Sequence, residues 1–284
     1  MKLSKIFALL LALCLISSAA CAATFTDAHG NVIELDDSLE AYAAVTLVGA
    51  DNAARQGETN LGDLWADALR WFAVSGEINA AFDEDDVKAG NDRIAVDADH
   101  VVALWNGGNL RADIAEGTFG AEALAEVLPF PNKVAVVYMT GAQLLETLEA
   151  ASQGLPYTAE TADACASLMQ VSGLTYTVDT TKAYDALEAY GDHWFTAGSV
   201  SRVRIDDVNG QPFDAEATYA VVTSNANFNG MDSSYVLKAA AEANEQSAVT
   251  AAVVRDVVFR FIAAELNHQV GEAYAAPQGR LTVL

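Results

Sequence analysis

The distribution of apolar residues along the chain predicts helices mixed with strands. From residue 61 onward, apolar side chains recur at intervals of three and four, which is typical of one face of a helix. Asn60 is a suitable N-cap for this helix, and Asp63 lies in its first turn. Thr140 and Gln143 have capping-box spacing and predict a second helix. The apolar positions are Leu61, Leu64, Trp65, Ala68, Leu69 and Phe72 in the first helix, and Leu144, Leu145, Leu148 and Ala151 in the second.

Segments rich in β-branched and aromatic residues predict the strands. They cover residues 45–48, 101–105, 133–139, 171–178, 200–206 and 219–223. Residues 24–40 resemble a short hairpin around a His-Gly-Asn turn, and residues 247–269 predict a last long helix. Because strands and helices do not alternate strictly, we expect a mixed α/β (α+β) fold with antiparallel pairing. The predicted division is 1–22 signal peptide, 23–43 N-terminal extension and 44–284 one domain.

The first 22 residues predict export. A basic start is followed by an apolar run over residues 6–16 and then by small residues, a pattern typical of a secretory signal peptide. The run is shorter than the ~20 residues that a membrane-spanning helix needs. We therefore expect a secreted or cell-envelope protein without a transmembrane segment. Cleavage after Ala22 would leave Cys165 as the one cysteine, whereas a loose lipoprotein pattern makes lipid attachment at Cys21 the alternative.

The charge of the chain limits its partners. The formal net charge of −24 becomes −26 when Lys2 and Lys5 leave with a signal segment that contains no acid. Such a charge repels nucleic acid and anionic membranes, so neither is expected as a partner. A nucleotide phosphate would be repelled too, unless arginines lie close to it.

Several loop segments contain residues suited to ligand binding. Arg55 precedes a helix start, where an anion is favoured, although it could equally pair with Glu58. Gly107 and Gly108 lie between Asn106 and Arg111, just after a buried strand. These glycines either let the backbone approach a ligand closely or simply form a turn.

Two further segments complete this set. Phe130 lies between two prolines, which hold its ring stiffly enough to stack on a base, although such a ring is often part of a core. Asp232 ends an asparagine-rich segment, and its carboxylate suits a pair of ribose hydroxyls.

Taken in order, these motifs resemble the C-terminal domain of the 5'-nucleotidase family. The resemblance extends over about residues 44–284, including the closing Pro277 to Arg280. It implies a layered sandwich with mixed sheets. The motifs are Glu58-Thr59-Asn60-Leu61-Gly62, Asn106-Gly107-Gly108 with Arg111, Leu128-Pro129-Phe130 with Asn132, Ser172-Gly173-Leu174, and Asn229-Gly230-Met231-Asp232.

In that family this domain holds the nucleoside, and a separate N-terminal metallophosphoesterase domain provides two metals and the catalytic histidine. The resemblance implies that Arg55, Asn106 and Arg111 contact base, ribose or phosphate. It also implies that Phe130 stacks on the base and that Asp232 accepts bonds from ribose hydroxyls. Where the family has a second stacking Phe, this chain has Ala226, so the base would lose one ring unless Phe228 replaces it.

Residues that could form a catalytic metal centre are scarce in the sequence. There are 4 histidines, and the Asp27-Ala28-His29 motif, which resembles the start of a metallophosphoesterase, is not followed by that family's other ligand segments. We therefore predict no metal, cofactor or catalytic residue, and we expect Cys165 to be a buried core residue.

Three functions remain open. The preferred hypothesis is an exported nucleoside- or nucleotide-binding protein of nucleotide catabolism without its own catalytic centre. The second is a component of a 5'-nucleotidase that acts with a separate metallophosphoesterase domain, so that enzymatic activity stays undecided. The third is a surface interaction domain that has lost its ligand.

Overall fold

The computed structural model describes residues 23–26, 32–35, 40–82 and 94–284, with side chains from residue 40 onward. In these residues the helices are α1 Asn60–Val74, α2 Ala121–Val127, α3 Gly141–Ala151, α4 Asn225–Phe228, α5 Tyr235–Ala243 and α6 Val254–Ala264. The strands are β1 Ala23–Thr26, β2 Val32–Leu35, β3 Glu40–Ala43, β4 Val101–Asn106, β5 Gly117–Gly120, β6 Lys133–Thr140, β7 Met169–Ser172, β8 Leu174–Val178, β9 Ala186–Tyr190, β10 Trp194–Ala197, β11 Val203–Val208, β12 Thr218–Ser224, β13 Ala248–Val253, β14 Gln269–Val270 and β15 Leu281–Val283.

A five-stranded sheet with the order β13-β6-β12-β4-β7 forms the centre of the domain. In this sheet β4 and β12 are parallel, while the other neighbours are antiparallel. Two three-stranded sheets, β11-β8-β15 and β14-β3-β5, also combine parallel and antiparallel pairs. The predicted mixed α/β fold with mixed sheets is confirmed.

Side chains on both faces of the central sheet are buried, because each face packs against its own layer. Along β4, Val101, Ala103 and Trp105 belong to one hydrophobic core, and Val102 and Leu104 to the other. This alternation is the two-residue period of a strand. Helices α1 and α6 pack in the first core, whereas α3, α5 and strands β8 and β11 pack in the second. The result is a layered sandwich.

Both helix starts that the sequence predicts are present, but the N-cap of the first helix is one residue earlier than predicted. Thr59 is the N-cap of α1, since its side chain accepts a hydrogen bond from the Gly62 N–H. Asn60 is the first helical residue, and its buried amide instead accepts from Val48 N at 2.8 Å and donates to the Tyr274 carbonyl at 2.9 Å. The capping box at the start of α3 is confirmed.

One helix prediction and two strand predictions differ from the structure. Residues 247–269 contain β13 followed by α6, because Val249 and Val253 pair with β6 before the helix begins. Residues 171–178 divide between β7 and β8 at Gly173, whose φ of 79° interrupts the strand. In place of a strand at 45–48 there is a single bridge between Leu47 and Ile114.

In the segment predicted as an N-terminal hairpin, β1 pairs antiparallel with β2. Strand β3, which lies before residue 44, pairs with β5 and buries Ala41 and Ala43 in the first core. Residues 1–22 and the Asp27-Ala28-His29 motif lie outside the described part of the chain. Among the residues that are described, no helix is long and apolar enough to cross a membrane.

A group of charged residues, here called the carboxylate clasp, ties the start of α1 to the C-terminal segment. The Glu58 carboxylate accepts hydrogen bonds from the backbone N–H groups of Gln278 and Arg280, each at 3.0 Å. The Arg280 Nη2 atom donates to Asp67 at 2.8 Å, and a second guanidinium nitrogen, Nη1, lies 2.8 Å from the same carboxylate. The clasp consists of Glu58, Asp63, Asp67, Tyr274 and Arg280.

Asp63 is the innermost carboxyl of the carboxylate clasp and has no exposed surface. Burial, and next the nearby Glu58 charge, raise the pKa of Asp63 to about 8, while the charge of Arg280 acts in the opposite direction. Asp63 therefore keeps its proton at a pH at which an exposed aspartate has lost it.

Candidate functional site

Three loops meet at one edge of the central sheet and enclose a cavity of about 390 Å³. Strands β4 and β12 are parallel, so the loops that follow Asn106 and Ser224 leave the sheet at the same edge. Strand β6 is antiparallel to β12 and pairs Val134 with Ser224, so the loop before β6 reaches that edge as well. The cavity is lined by Asn106, Gly108, Asn109, Arg111, Phe130, Pro131, Asn132, Ala166, Asn225, Ala226, Asn229, Met231 and Asp232.

A hydrogen-bonded chain of polar side chains connects two of these loops. The Asn106 Nδ2 atom donates to Oδ2 of Asp232 at 2.6 Å, and Asn109 Nδ2 donates to Oδ1 of Asn106 at 2.8 Å. Asn106 is almost fully buried, so its amide orients the Asp232 carboxylate from the interior side of the cavity. Burial raises the pKa of Asp232, while the charges of Arg55 and Arg111 act in the opposite direction.

The loop that presents Asp232 has a fixed backbone. Gly230 and Asp232 both have left-handed φ angles, 86° and 55°, and Met231 between them donates its N–H to the Ala226 carbonyl at 3.0 Å. The Tyr190 hydroxyl, from β9, donates to the Gly230 carbonyl at 2.6 Å. A side chain at position 230 would meet both the strain of a positive φ and the Tyr190 oxygen at 2.3 Å. Glycine is therefore required there.

Arg111 and Phe130 form the rim of the cavity. The Arg111 Cζ atom lies 5.6 Å from the centroid of the Phe130 ring, within the range of a cation–π contact. The Arg111 Nε donates to the Gly108 carbonyl, which orients the guanidinium. Phe130 is 42% exposed and is thus available to a ligand, unlike an aromatic residue of the core.

Close packing explains why glycine occupies the two positions after β4. A Cβ on Gly107 would lie 1.9 Å from the Ala54 carbonyl oxygen, and one on Gly108 would lie 2.7 Å from the Ala166 Cβ. Both therefore allow neighbouring segments to pack closely. Gly108 lines the cavity, whereas Gly107 is not among its lining residues.

Two of the residues predicted to bind a ligand, Arg55 and Phe228, are not among the residues that line the cavity. Arg55 does not line the cavity: its Nη1 atom donates to the Ala162 carbonyl at 2.9 Å and lies 3.9 Å from Asp163, so it holds that segment in place. It does not pair with Glu58, whose carboxylate is used in the carboxylate clasp. Phe228 is half-buried and packs against the second core.

Of the eight residues predicted to bind a ligand, Asn106, Gly108, Arg111, Phe130 and Asp232 thus lie together at the cavity. The other lining residues were not among the eight predicted ones, and they are Asn109, Pro131, Asn132, Ala166, Asn225, Ala226, Asn229 and Met231. One signal was present for Asn229, because it is the C-cap of the short helix α4 and follows Asn225 by four residues.

Metal-ligating side chains are scattered in the structure. Within residues 40–82 and 94–284, no group of three or more His, Cys, Asp or Glu side chains is placed to hold a metal ion. The prediction for Cys165 is confirmed, since it is 1% exposed and belongs to the second core. Burial raises the pKa of its thiol.

Residues 40–239 match the family described as 5'-nucleotidase, C-terminal domain, and the chain belongs to this family. Among curated proteins it is similar to the trifunctional nucleotide phosphoesterase protein YfkN of Bacillus subtilis, with 28% identity over 188 residues, which make up 65% of this chain and 10% of that protein.

Two solved structures share the fold. The chain superimposes on a 5'-nucleotidase precursor from Thermus thermophilus with a TM-score of 0.62 and 25% identity, covering 92% of this chain and 48% of the other. On the NAD nucleotidase of Haemophilus influenzae, the TM-score is 0.57 and the identity 14%, with coverage of 92% and 48%. The chain therefore spans about half the length of these two proteins and a tenth of the curated relative.

Proposed function

We propose that this chain binds a nucleoside or nucleotide in the 390 Å³ cavity and does not hydrolyse it alone. The observation that carries the proposal is the meeting of Asn106, Arg111, Phe130 and Asp232 from three loops of a 5'-nucleotidase C-terminal domain. A flat base suits the exposed Phe130 ring, and stacking of this kind contributes roughly 1 to 3 kcal/mol.

The polar groups of the cavity fit the rest of such a ligand. Asp232 can accept hydrogen bonds from two ribose hydroxyls, because Asn106 occupies its Oδ2 atom and leaves the other oxygen available. Arg111 supplies a positive charge at the rim of a strongly acidic protein and can attract a phosphate. The asparagine amides provide both donors and acceptors for the edge of a base.

Binding can be tested by thermal unfolding of the purified chain in the presence of adenosine, AMP or a nucleotide sugar. A ligand at 100 times its Kd stabilises the folded state by about 2.7 kcal/mol, which is visible as a rise in Tm. The Phe130→Ala variant should lose most of the shift given by adenosine. Absence of any shift at millimolar concentrations would contradict the proposal and favour an interaction domain without a ligand.

A second function is supported by the lengths of the matched proteins. Two of these proteins, a 5'-nucleotidase and an NAD nucleotidase, are about twice as long as the matched chain. We therefore consider that the chain could provide the nucleoside-binding half of a hydrolase whose metallophosphoesterase domain is separate. Phosphate release from AMP with Mn²⁺, Zn²⁺ or Mg²⁺ should be absent with the chain alone and present after addition of such a domain. Release by the chain alone would overturn the non-catalytic assignment.

We propose as well that residues 1–22 direct export to the cell envelope or beyond. The support is the sequence pattern of a basic start, an apolar run and small residues. The intact mass of the protein recovered outside the cytoplasm distinguishes the alternatives, because cleavage after Ala22 leaves an unmodified Ala23 terminus, whereas a lipoprotein begins with acylated Cys21. A full-length chain recovered from the cytoplasm would overturn the proposal.

A further inference from the structure

Met231 is an exposed apolar side chain at a cavity that is otherwise rich in amides. It is 60% exposed, and it belongs to neither hydrophobic core. Among the described residues that line the cavity, Met231 and Phe130 are the large apolar ones, and both are exposed. The remaining apolar lining consists of Pro131, Ala166 and Ala226.

The position of Met231 is fixed by its backbone and not by packing of its side chain. Its N–H donates to the Ala226 carbonyl, and its own carbonyl accepts from Ser234 N at 3.2 Å. On either side, Gly230 is held by the Tyr190 hydroxyl, and Asp232 is held by Asn106. The Met231 side chain is therefore presented at the cavity while its own atoms stay free to move.

An exposed methionine at a cavity suits contact with a planar ligand. A flexible thioether adapts to the face of an aromatic ring, and sulfur–aromatic contacts are favourable. The residue beside it, Ala226, is too small to cover a base, and Phe228 packs in the second core. A base stacked on Phe130 needs a second wall for its other face, and Met231 is the other large apolar residue of the lining.

We propose that Met231 forms the second apolar wall of the cavity and covers the face of the base opposite Phe130. This inference rests on the proposed nucleoside binding and adds a residue that determines specificity for the base. Met231 acts on the planar ring and makes no contact with the sugar or phosphate, which Asp232 and Arg111 serve. Ligands that contain a base should therefore depend on Met231, whereas ligands without one should not.

The first test compares variants by titration calorimetry with adenosine and with ribose 5-phosphate. Met231→Ala should weaken adenosine binding roughly tenfold, which corresponds to about 1.4 kcal/mol, and leave ribose 5-phosphate unchanged. Met231→Leu, which keeps the apolar volume, should bind adenosine within about twofold of the unmodified chain. Equal adenosine affinity of Met231→Ala and the unmodified chain would overturn the inference.

The second test observes the side chain directly. In protein labelled with ¹³C at the methionine methyl groups, adenosine should move the Met231 methyl resonance upfield by the ring current of the base. Met139 and Met169 are 3% and 0% exposed in the second core and should not move, which makes them internal controls. Met231→Leu assigns the signal by its disappearance.

The outcomes distinguish the role of Met231 from nucleoside binding itself. Adenosine that binds while the Met231 resonance stays unchanged overturns the role of Met231 and leaves the proposed function standing. An unmodified chain that binds no nucleoside overturns both. Ribose 5-phosphate losing affinity in Met231→Ala would show a general disturbance of the loop and would also overturn the specificity role.

Discussion

The carboxylate clasp and the cavity each bring an aspartate, an arginine and loop backbone together. The arginine of the carboxylate clasp has more hydrogen-bond partners within the protein than the arginine of the cavity. In the carboxylate clasp, Arg280 donates to Asp67, to the Val171 carbonyl and to Gln278, and its side chain is 14% exposed. At the cavity, the recorded partners of Arg111 are the Gly108 carbonyl and the Phe130 ring, and the residue is exposed.

This difference separates stability from binding. Charges that are buried and paired are costly to disrupt, because removal of one partner leaves the other uncompensated. Charges at the rim of a cavity keep donors and acceptors for a ligand, and their removal costs the folded protein little. We therefore expect variants of the carboxylate clasp to change the free energy of unfolding and variants of the cavity to change affinity.

The largest effect is expected from Arg280→Ala. This change leaves the largely buried Asp67 carboxylate without its cation and removes the bonds from Arg280 to Val171 and Gln278, so the free energy of unfolding should fall by about 3 to 5 kcal/mol. Urea unfolding measures it. Arg111→Ala is the matched control and should change stability by no more than about 0.5 kcal/mol. Similar losses in the two variants would remove the distinction between the regions.

The next effect is a dependence of stability on pH that comes from Asp63. Its pKa of about 8 in the folded protein lies above the value of 3.8 for an exposed aspartate. The folded state therefore keeps the proton longer, and the stability contributed by neutral Asp63 is complete below pH 3.8 and is lost as pH rises toward 8. Over pH 5 to 8 the loss should be on the order of 3 kcal/mol.

The Asp63→Asn variant isolates this contribution from the many other acids of the chain. Asparagine is neutral at every pH, so unfolding by urea should show a flatter pH profile than in the unmodified chain. The charged groups that face Asp63 are Glu58, Asp67 and Arg280, and all three are retained in the variant. Identical profiles would mean that Asp63 is ionised normally.

At the cavity, Asp232→Asn should weaken nucleoside binding by roughly 10- to 100-fold. A hydrogen bond to a charged group contributes about 1.5 to 3 kcal/mol, and the amide cannot accept two ribose hydroxyls as a carboxylate does. Tm without ligand should stay close to that of the unmodified chain. Asp256→Asn on the exposed side of α6 is the control for a simple change of net charge, and an equal loss of affinity there would contradict a specific role of Asp232.

The smallest effect is expected from Tyr190→Phe. Loss of the hydrogen bond to the Gly230 carbonyl should cost about 0.5 to 1.5 kcal/mol of stability and weaken nucleoside binding a few-fold, because the loop of Asp232 loosens. Tyr184→Phe is the matched control, since the Tyr184 hydroxyl donates to the Phe195 carbonyl within the same region. That variant should lose stability without losing affinity. Calorimetry on both variants decides between a local and a general effect.

The helices and strands that were predicted correctly are those whose apolar residues fit only one type of secondary structure. Helix α1 has apolar residues at helical spacing, and strands β4, β6 and β12 are buried on both faces and therefore appear as continuous apolar runs in the sequence. Residues 247–269 were predicted wrongly because valines at helical spacing are also good strand residues. Pairing with β6 decides the conformation of β13, and that contact cannot be read from the segment itself.

The cavity could be predicted in part for a related reason. Asn106, Arg111, Phe130 and Asp232 belong to motifs whose order along the chain indicates a common site. The place of Arg55 outside the cavity lining could not be predicted, because the direction of its side chain depends on the segment around Ala162, which is 107 residues away in sequence. Met231 was missed because its exposure depends on backbone bonds that hold the loop.

The contrast among the methionines has a chemical consequence. Because Met231 is exposed and Met139 and Met169 are buried, peroxide should convert Met231 to the sulfoxide first. The sulfoxide is polar and can be reversed by reductases. Storage of the purified protein in air would therefore make the cavity lining at Met231 more polar and leave both hydrophobic cores unchanged. Preparations kept under reducing conditions should thus retain the native surface.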